Sequence, residues 1–211
     1  MKFYSQHKQD EFIIDYFKSK KNGIFLDIGA HDGITLSNTY TLETEFGWTG
    51  LCFEPMPHEF EKLHENRKYS VNYNCAIYDT EGIEKFTLLE YDGYPDMLSG
   101  IAKDISIKHM GHILSEGGRM GAKRKIIEVQ TRILNPILVQ NSLYEIDYLS
   151  LDTEGSELKI LKSINYDKFK IKVITSENGE GESETRQFMK TKGFTFFKRL
   201  GIDDVFVNTK I

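Results

Sequence analysis

Ile24-Phe25-Leu26-Asp27-Ile28-Gly29-Ala30-His31-Asp32-Gly33 is the stretch on which the fold turns. Ile24 to Ile28 is a short apolar run rich in β-formers, the pattern of a strand buried on both faces. It closes on Asp27-x-Gly29-x-x-x-Gly33, and a helix is expected at once afterwards. Glycines at such a turn let the backbone bend tightly and approach a ligand closely, because they lack a Cβ. The helix start beyond offers unpaired N–H groups. An acid at the strand's end repels a phosphate but attracts a ligand that carries a cation, such as the ammonium of an amino acid. That favours S-adenosylmethionine (SAM) over a dinucleotide; the plainer alternative is an ordinary strand-to-helix turn capped by Asp27.

Working outward, Thr39, Leu42 and Phe46 lie on one helical face, and Gly47 is placed to end that helix. Gly50-Leu51-Cys52-Phe53-Glu54 predicts a second buried strand closing on an acid, followed by Pro55 and Pro57. Glu54 stands 27 positions after Asp27, the spacing of a strand–helix–strand unit. A carboxylate at that tip is where an α/β nucleotide site holds both ribose hydroxyls. Pro57 opens a helix running to about Arg67. A third strand is expected over 71–78, leading into Asp79, and a short extra strand over 85–90.

Upstream, residues 1–22 read as a polar arm and a helix, with Ser5-Gln6-x-x-Gln9-Asp10 either a solvated cap or a lid over a ligand. Downstream, residues 91–124 are the least regular, and an irregular insertion of that length in a compact domain is more often functional than not. His109 and His112 share a helix face there but lack a third metal ligand at diagnostic spacing, so no metal site is expected. The basic run 117–125 is most simply a solvated loop. Strands follow at 126–131, 146–151 and 171–175, with a short helix at 134–141 broken at Pro136. Helices carry Leu158, Leu161 and Ile164, then Phe188 and Met189, inward, and 194–198 with 205–207 close the chain as a hairpin. This alternation predicts one α/β domain over 1–211: a mostly parallel sheet, helices on both faces, and a C-terminal antiparallel hairpin. Ligands of such sheets sit beyond the carboxyl ends of the strands. Asp27, Glu54, Asp79, Asp152, Glu154 and Glu177 all fall at or near those ends, a gathering that core packing does not explain.

At 211 residues the chain can bury a sizeable core. A net charge of −5 and a pI near 5.7 argue against an intrinsic grip on nucleic acid or anionic membrane. No apolar run is long enough to span a bilayer, and the first residues lack a signal peptide's hydrophobic segment. Cys52 and Cys75, both within apolar runs, read as buried thiols of a reducing, cytoplasmic compartment. Nothing in the sequence specifies an oligomeric state.

Several segments together resemble one family, the FkbM-type SAM-dependent methyltransferases. They are Ser5-Gln6-x-x-Gln9-Asp10, Asp27-Ile28-Gly29-Ala30-His31-Asp32-Gly33 with Ser37-Asn38-Thr39, and Phe53-Glu54-Pro55. Gly93-Tyr94-Pro95-Asp96-Met97-Leu98-Ser99-Gly100 and Leu151-Asp152-Thr153-Glu154-Gly155-Ser156-Glu157 follow in order. The resemblance implies a class I, Rossmann-like methyltransferase with SAM across the first two strands. In it Asp27 and Gly29 line the methionine part, Glu54 the ribose, and Ala76, Ile77 and Asp79 the adenine edge. His31, Asp32, Gly33, Ser37, Asn38, Pro55 and Asp152 complete the implied cofactor set, and Tyr94 and Ser99 the acceptor side. Family members typically methylate hydroxyls, often on sugars or secondary metabolites, which implies a small-molecule or glycan acceptor. Methyltransferases of exocyclic amines resemble one another in an Asn/Asp-Pro-Pro-aromatic motif, where this chain has Asp152-Thr153-Glu154-Gly155.

Methyl transfer to an alcohol is an in-line displacement on an already activated electrophile, so the protein aligns the oxygen and removes its proton. Asp152, Glu154 and Glu177 are the candidate bases; neighbouring carboxylates equally describe a Mg²⁺ site. The metal-free base is the reading adopted. Two rivals remain: a nicotinamide-dependent oxidoreductase, whose Gly-x-Gly-x-x-Gly is absent, and a catalytically silent SAM-binding module.

Overall fold

The structure, a computed structural model, describes residues 1–90, 99–106, 111, 115, 123–179, 181 and 183–210. The first helix, α1, is Gln9–Tyr16, and the opening strand, β1, is Ile24–Ile28. The next helix does not follow Gly33 directly, contrary to expectation: α2 is Tyr40–Phe46, and residues 34–39 form a loop held by its own polar side chains. Asp32 accepts from the N–H groups of Ile34 and Thr35, and Ser37 Oγ from those of Thr39 and Tyr40. Such side-chain bonds to the local backbone compete with helix. Gly47 ends α2 in the left-handed conformation, φ 66°.

Then come β2 (Thr49–Phe53), α3 (Pro57–Asn66) and β3 (Val71–Tyr73). The single strand expected over 71–78 is in fact two. β3 pairs with β2, whereas Ala76–Ile77, β4, crosses to another sheet and pairs with β7 (Lys123–Arg132). That second sheet has the order β4-β7-β5-β6, with β5 (Gly82–Glu90) longer than expected and β6 only Gly100–Ile101. Part of the segment read as irregular is thus sheet, and nothing in the sequence reading foresaw it. Tyr91, Tyr94, His109, His112 and 117–122 lie outside the described residues.

The remaining elements are α4 (Leu134–Gln140), β8 (Glu145–Leu151), α5 (Glu157–Ser163), β9 (Lys170–Glu177), α6 (Ser183–Thr191), β10 (Phe194–Leu200) and β11 (Asp203–Asn208). Pro136 does not break α4. It sits in the first turn, where backbone N–H groups have no intrahelical partner to lose.

The main sheet has seven strands in the order β10-β11-β9-β8-β1-β2-β3. Neighbours from β9 to β3 are parallel; β11 runs antiparallel to both β9 and β10. Alternation along the strands divides the core. Phe25, Cys52 and Val173 pack with Ile13, Leu42, Phe46 and Leu63 of α1, α2 and α3. Leu26, Ile28, Leu51 and Ile174 pack with Leu138, Leu161 and Met189 of α4, α5 and α6. Each such side chain stabilises by about 1.5–3 kcal/mol when fully buried. This is a class I, Rossmann-like fold, and it brings the carboxyl ends of β1, β2, β8 and β9 to one edge. Because β11 is reversed, its first residue reaches that edge too: Asp203 pairs with Glu177.

Among the described residues, no helix is long and apolar enough to cross a membrane. Cys52 and Cys75 are buried and unpaired, and burial pushes their thiols up to about 12 and about 11.

Candidate functional site

A cavity of about 320 Å³ opens at the carboxyl edge of the main sheet, a size that suits a small organic ligand. Its wall begins at the end of β1. Gly29 has φ 89°, and a Cβ on it would lie 1.8 Å from the carbonyl oxygen of Asp152. The close passage of the loop after β8 by itself requires a glycine here. Its N–H and that of Ala30 both donate to Phe53 O, which fastens the loop after β1 to the end of β2.

Glu54 completes that fastening. Its carboxylate accepts from His31 N at 2.9 Å and from Met56 N at 2.8 Å, and burial pushes its pKa up to about 7. Asp27 is buried as well and accepts the Thr39 hydroxyl at 2.5 Å. Burial raises its pKa, against the pull of Arg67 close by.

A second group of acids faces these from β8, β9 and β11. Asp152 is exposed to the cavity it lines, where the surrounding wall withdraws it from bulk solvent. Burial raises its proton affinity, and so do Asp203, Glu157 and Asp27. Glu177 is raised likewise, first by burial and then by Asp152, with which it shares a hydrogen bond. Two carboxyls so placed resist ionising together, because two negative charges at short range are costly. Asp203 is raised by burial too, although Gln9 Nε2 donates to it at 2.7 Å. Glu157 caps the turn before α5, accepting from Thr153 N at 2.7 Å and Gly155 N at 3.0 Å.

The structure brings most of the residues picked out from sequence to this one cavity. Asp27, Gly29, His31, Ser37, Asn38, Glu54 and Pro55 line it, as do Ala76, Ile77, Ser99, Asp152, Glu154 and Glu177. Asp32, Gly33 and Asp79 are not on its wall. Asp32 is spent on its own turn, where burial is outweighed by bonds from His31, Thr35 and Ile34 that hold it well below the usual carboxylate range. Gly33 packs against α3, since a Cβ there would meet Arg67 Cγ at 2.7 Å. Asp79 is exposed beyond β4. Tyr94 lies outside the described residues.

The arm, read from sequence as a solvated cap or a lid, contributes to the wall of the cavity. Gln6 and Gln9 line the cavity, and buried Asp10 ties the arm down by accepting from Tyr4 N at 2.8 Å and Thr41 Oγ1 at 2.9 Å. Sequence reading missed Glu157 and Asp203 at the acidic end, and Glu43 and Arg67 behind Asp27. Asp203 was visible only as a turn residue, because its place depends on the register of a reversed strand. Arg67 looked like any cation near a helix end.

Among the described residues, two groups each have donor atoms within 4.8 Å of one another and can take a divalent cation: Asp152, Glu157 and Glu177, and His31, Asp32 and Glu59. In the latter, burial disfavours the protonated His31 ring, but Asp32, Glu59 and Glu54 outweigh it and raise its pKa.

A parallel sheet with this order, a cavity at its carboxyl edge and acids closing the first two strands define a Rossmann-like enzyme of the class I methyltransferase type. The family model of the methyltransferase FkbM domain matches residues 27–196, and the chain belongs to that family. It is a SAM-dependent methyltransferase, and SAM is its cofactor. Among solved structures, it is similar to a TehB-like SAM-dependent methyltransferase from Corynebacterium glutamicum, with 12% identity and a TM-score of 0.44 over 99% of this chain and 89% of that one. An RNA methyltransferase from Salinibacter ruber, in complex with S-adenosyl-L-homocysteine, has 11% identity and a TM-score of 0.45 over 99% and 96%. A precorrin-6y C5,15-methyltransferase from Geobacter metallireducens has 8% identity and a TM-score of 0.46 over 93% and 84%. A search of curated proteins finds no match to the chain.

Proposed function

We propose that this protein is an O-methyltransferase acting on a hydroxyl of a sugar, a glycan or a glycosylated metabolite. The observation that carries the reading is the pair of Asp152 and Glu177, joined by a hydrogen bond on a cavity wall that Glu154 also lines. A sugar hydroxyl is a very weak acid, and its proton must be taken as the new bond forms. Carboxylates with raised proton affinity suit that task better than ordinary ones.

In this reading SAM lies with its methionine end at Asp27 and Gly29, its ribose on Glu54, and its adenine by Ala76 and Ile77. The acceptor oxygen attacks the methyl carbon in line with the sulfur. The carbon–sulfur bond breaks with its electron pair going to sulfur, leaving S-adenosylhomocysteine. The hydroxyl proton passes to a carboxylate of the pair or to Glu154. The acceptor enters past Ser99. The reading treats 1–211 as one catalytic domain. The net charge of −5 favours a small-molecule or glycan acceptor over nucleic acid, and the two buried, unpaired thiols favour a reducing cytoplasm.

The test is incubation of the enzyme with SAM and a panel of glycans, mono- and disaccharides and glycosylated metabolites, read by mass spectrometry with fragmentation. A methyl group on oxygen is the expected product. Methyl transfer only to nitrogen or carbon acceptors offered in parallel overturns the reading.

A further inference from the structure

Arg67 follows the last residue of α3, and its side chain is wholly buried. A buried guanidinium needs its charge and its five N–H donors met. Here Nε donates to Glu43 Oε2 at 2.7 Å and Nη2 to Thr39 Oγ1 at 2.9 Å. Nη1 reaches Gly33 O at 3.3 Å and Ser37 Oγ at 3.5 Å, and stands 3.6 Å from Asp27 Oδ2. The group lies over the Phe25 ring at 5.1 Å. One planar cation therefore joins α2, α3, the end of β1 and both ends of the 33–39 loop.

Two consequences concern the cavity. Thr39 Oγ1 accepts from Arg67, so its single hydrogen is left for Asp27 Oδ2, where it is found. Both contacts fall on Oδ2. Among the described residues Oδ1 has no hydrogen-bond partner, while Asp27 lines the cavity. With both acids ionised, Glu43, Arg67 and Asp27 together carry one negative charge more than positive, and of the two acids Asp27 is the one that lines the cavity.

We infer that Arg67 is a positioning residue for the cofactor: through Thr39 and Asp27 it aims one carboxylate oxygen at the ammonium of SAM's amino-acid end. The inference rests on the placement of that end at Asp27. Lysine cannot replace it, because a point charge does not bridge Glu43, Thr39 and Asp27 at once.

The test separates this role from general structural support. Binding of S-adenosylhomocysteine and of methylthioadenosine, which keeps the adenosine and sulfur but lacks the amino-acid part, is measured by calorimetry. In the double variant Arg67→Met with Glu43→Gln, which removes one cation and one anion, S-adenosylhomocysteine binding weakens about tenfold to a hundredfold. Methylthioadenosine binding changes by less than about threefold, a difference near the noise of such comparisons. A parallel loss for both ligands, or no loss for either, overturns the inference. Arg67→Lys carries the same test should the double variant fail to fold: a selective loss of S-adenosylhomocysteine supports the role and unchanged binding refutes it. Asp27→Asn tells the two readings apart. If it leaves the ratio of the two affinities intact, the methionine end is not at Asp27. If it lowers the ratio while the Arg67 variants do not, only the role of Arg67 falls.

Discussion

Glu54 gives the sharpest quantitative prediction, because it is 3% exposed and, among the described residues, no lysine or arginine bonds its carboxylate. Burial lifts its pKa from 4.5 to about 7 in the folded protein. The sign follows from which state holds the proton. Between these two values the folded form keeps a proton that the unfolded chain has lost, so stability from this group is full at low pH. It drains away as pH rises through about 7. Integrated between roughly pH 5.5 and roughly pH 8.5, the loss is about 2 kcal/mol. Glu54→Ala removes that dependence. It also strands the N–H groups of His31 and Met56, at about 1–3 kcal/mol each. The variant should therefore be less stable than the parent at the acidic end, with the gap closing by about 2 kcal/mol towards the alkaline end. Urea unfolding of both proteins, run in parallel at the two pH values, measures the gap, and the titrations of uncoupled groups cancel in the difference. A gap that does not change with pH means that Glu54 is ionised throughout and that the reasoning from burial is wrong. If the ribose hydroxyls donate to this carboxylate, S-adenosylhomocysteine affinity should also climb from acid to neutral pH in the parent. In Glu54→Ala it should fall by roughly one to two orders of magnitude.

The acids opposite should act on rate, not on cofactor binding. Glu177→Gln and Glu154→Gln are expected to keep near-native SAM affinity while at least one loses roughly two or more orders of magnitude in turnover, and Asp152→Asn should lower both. Normal turnover in all three places the base elsewhere, and activity abolished by chelator and restored by Mg²⁺ makes these acids metal ligands. Since the pKa values of the Asp152–Glu177 pair are raised, log kcat should rise with pH on the alkaline side of neutrality as the pair gives up its proton; a flat profile there speaks against the pair as base. Gly29→Ala, with its Cβ driven into the Asp152 carbonyl and a φ of 89°, should cost about 3 kcal/mol or more of stability, read as a drop in urea midpoint. Gln9→Ala removes the bond to Asp203 and should reduce acceptor turnover more than melting temperature; equal turnover leaves Gln9 a structural strut.

What the sequence alone determined is local in character. The apolar run of 24–28, the acids at Asp27 and Glu54 and their spacing of 27 sufficed for the strand–helix–strand unit, because strand burial and turn chemistry are written within a few residues. The hairpin at the C-terminus and the end of α2 at Gly47 were legible for the same reason. Tertiary structure decided everything that depends on two distant segments meeting. The same apolar character of 71–78 suits either sheet, and only the pairing of Ala76 with Thr131 assigns β4 to the second one. Gly29 lines the cavity as the sequence suggested, but that the Asp152 carbonyl also lies against it was decided by the fold. Asp203 reaches the acidic end of the cavity because β11 is reversed, and Arg67 stands behind Asp27 because α3 crosses the 33–39 loop. Neither a reversed strand's register nor the partner of a buried charge is encoded in spacing along the chain; both are settled by which surfaces close on each other when the core forms.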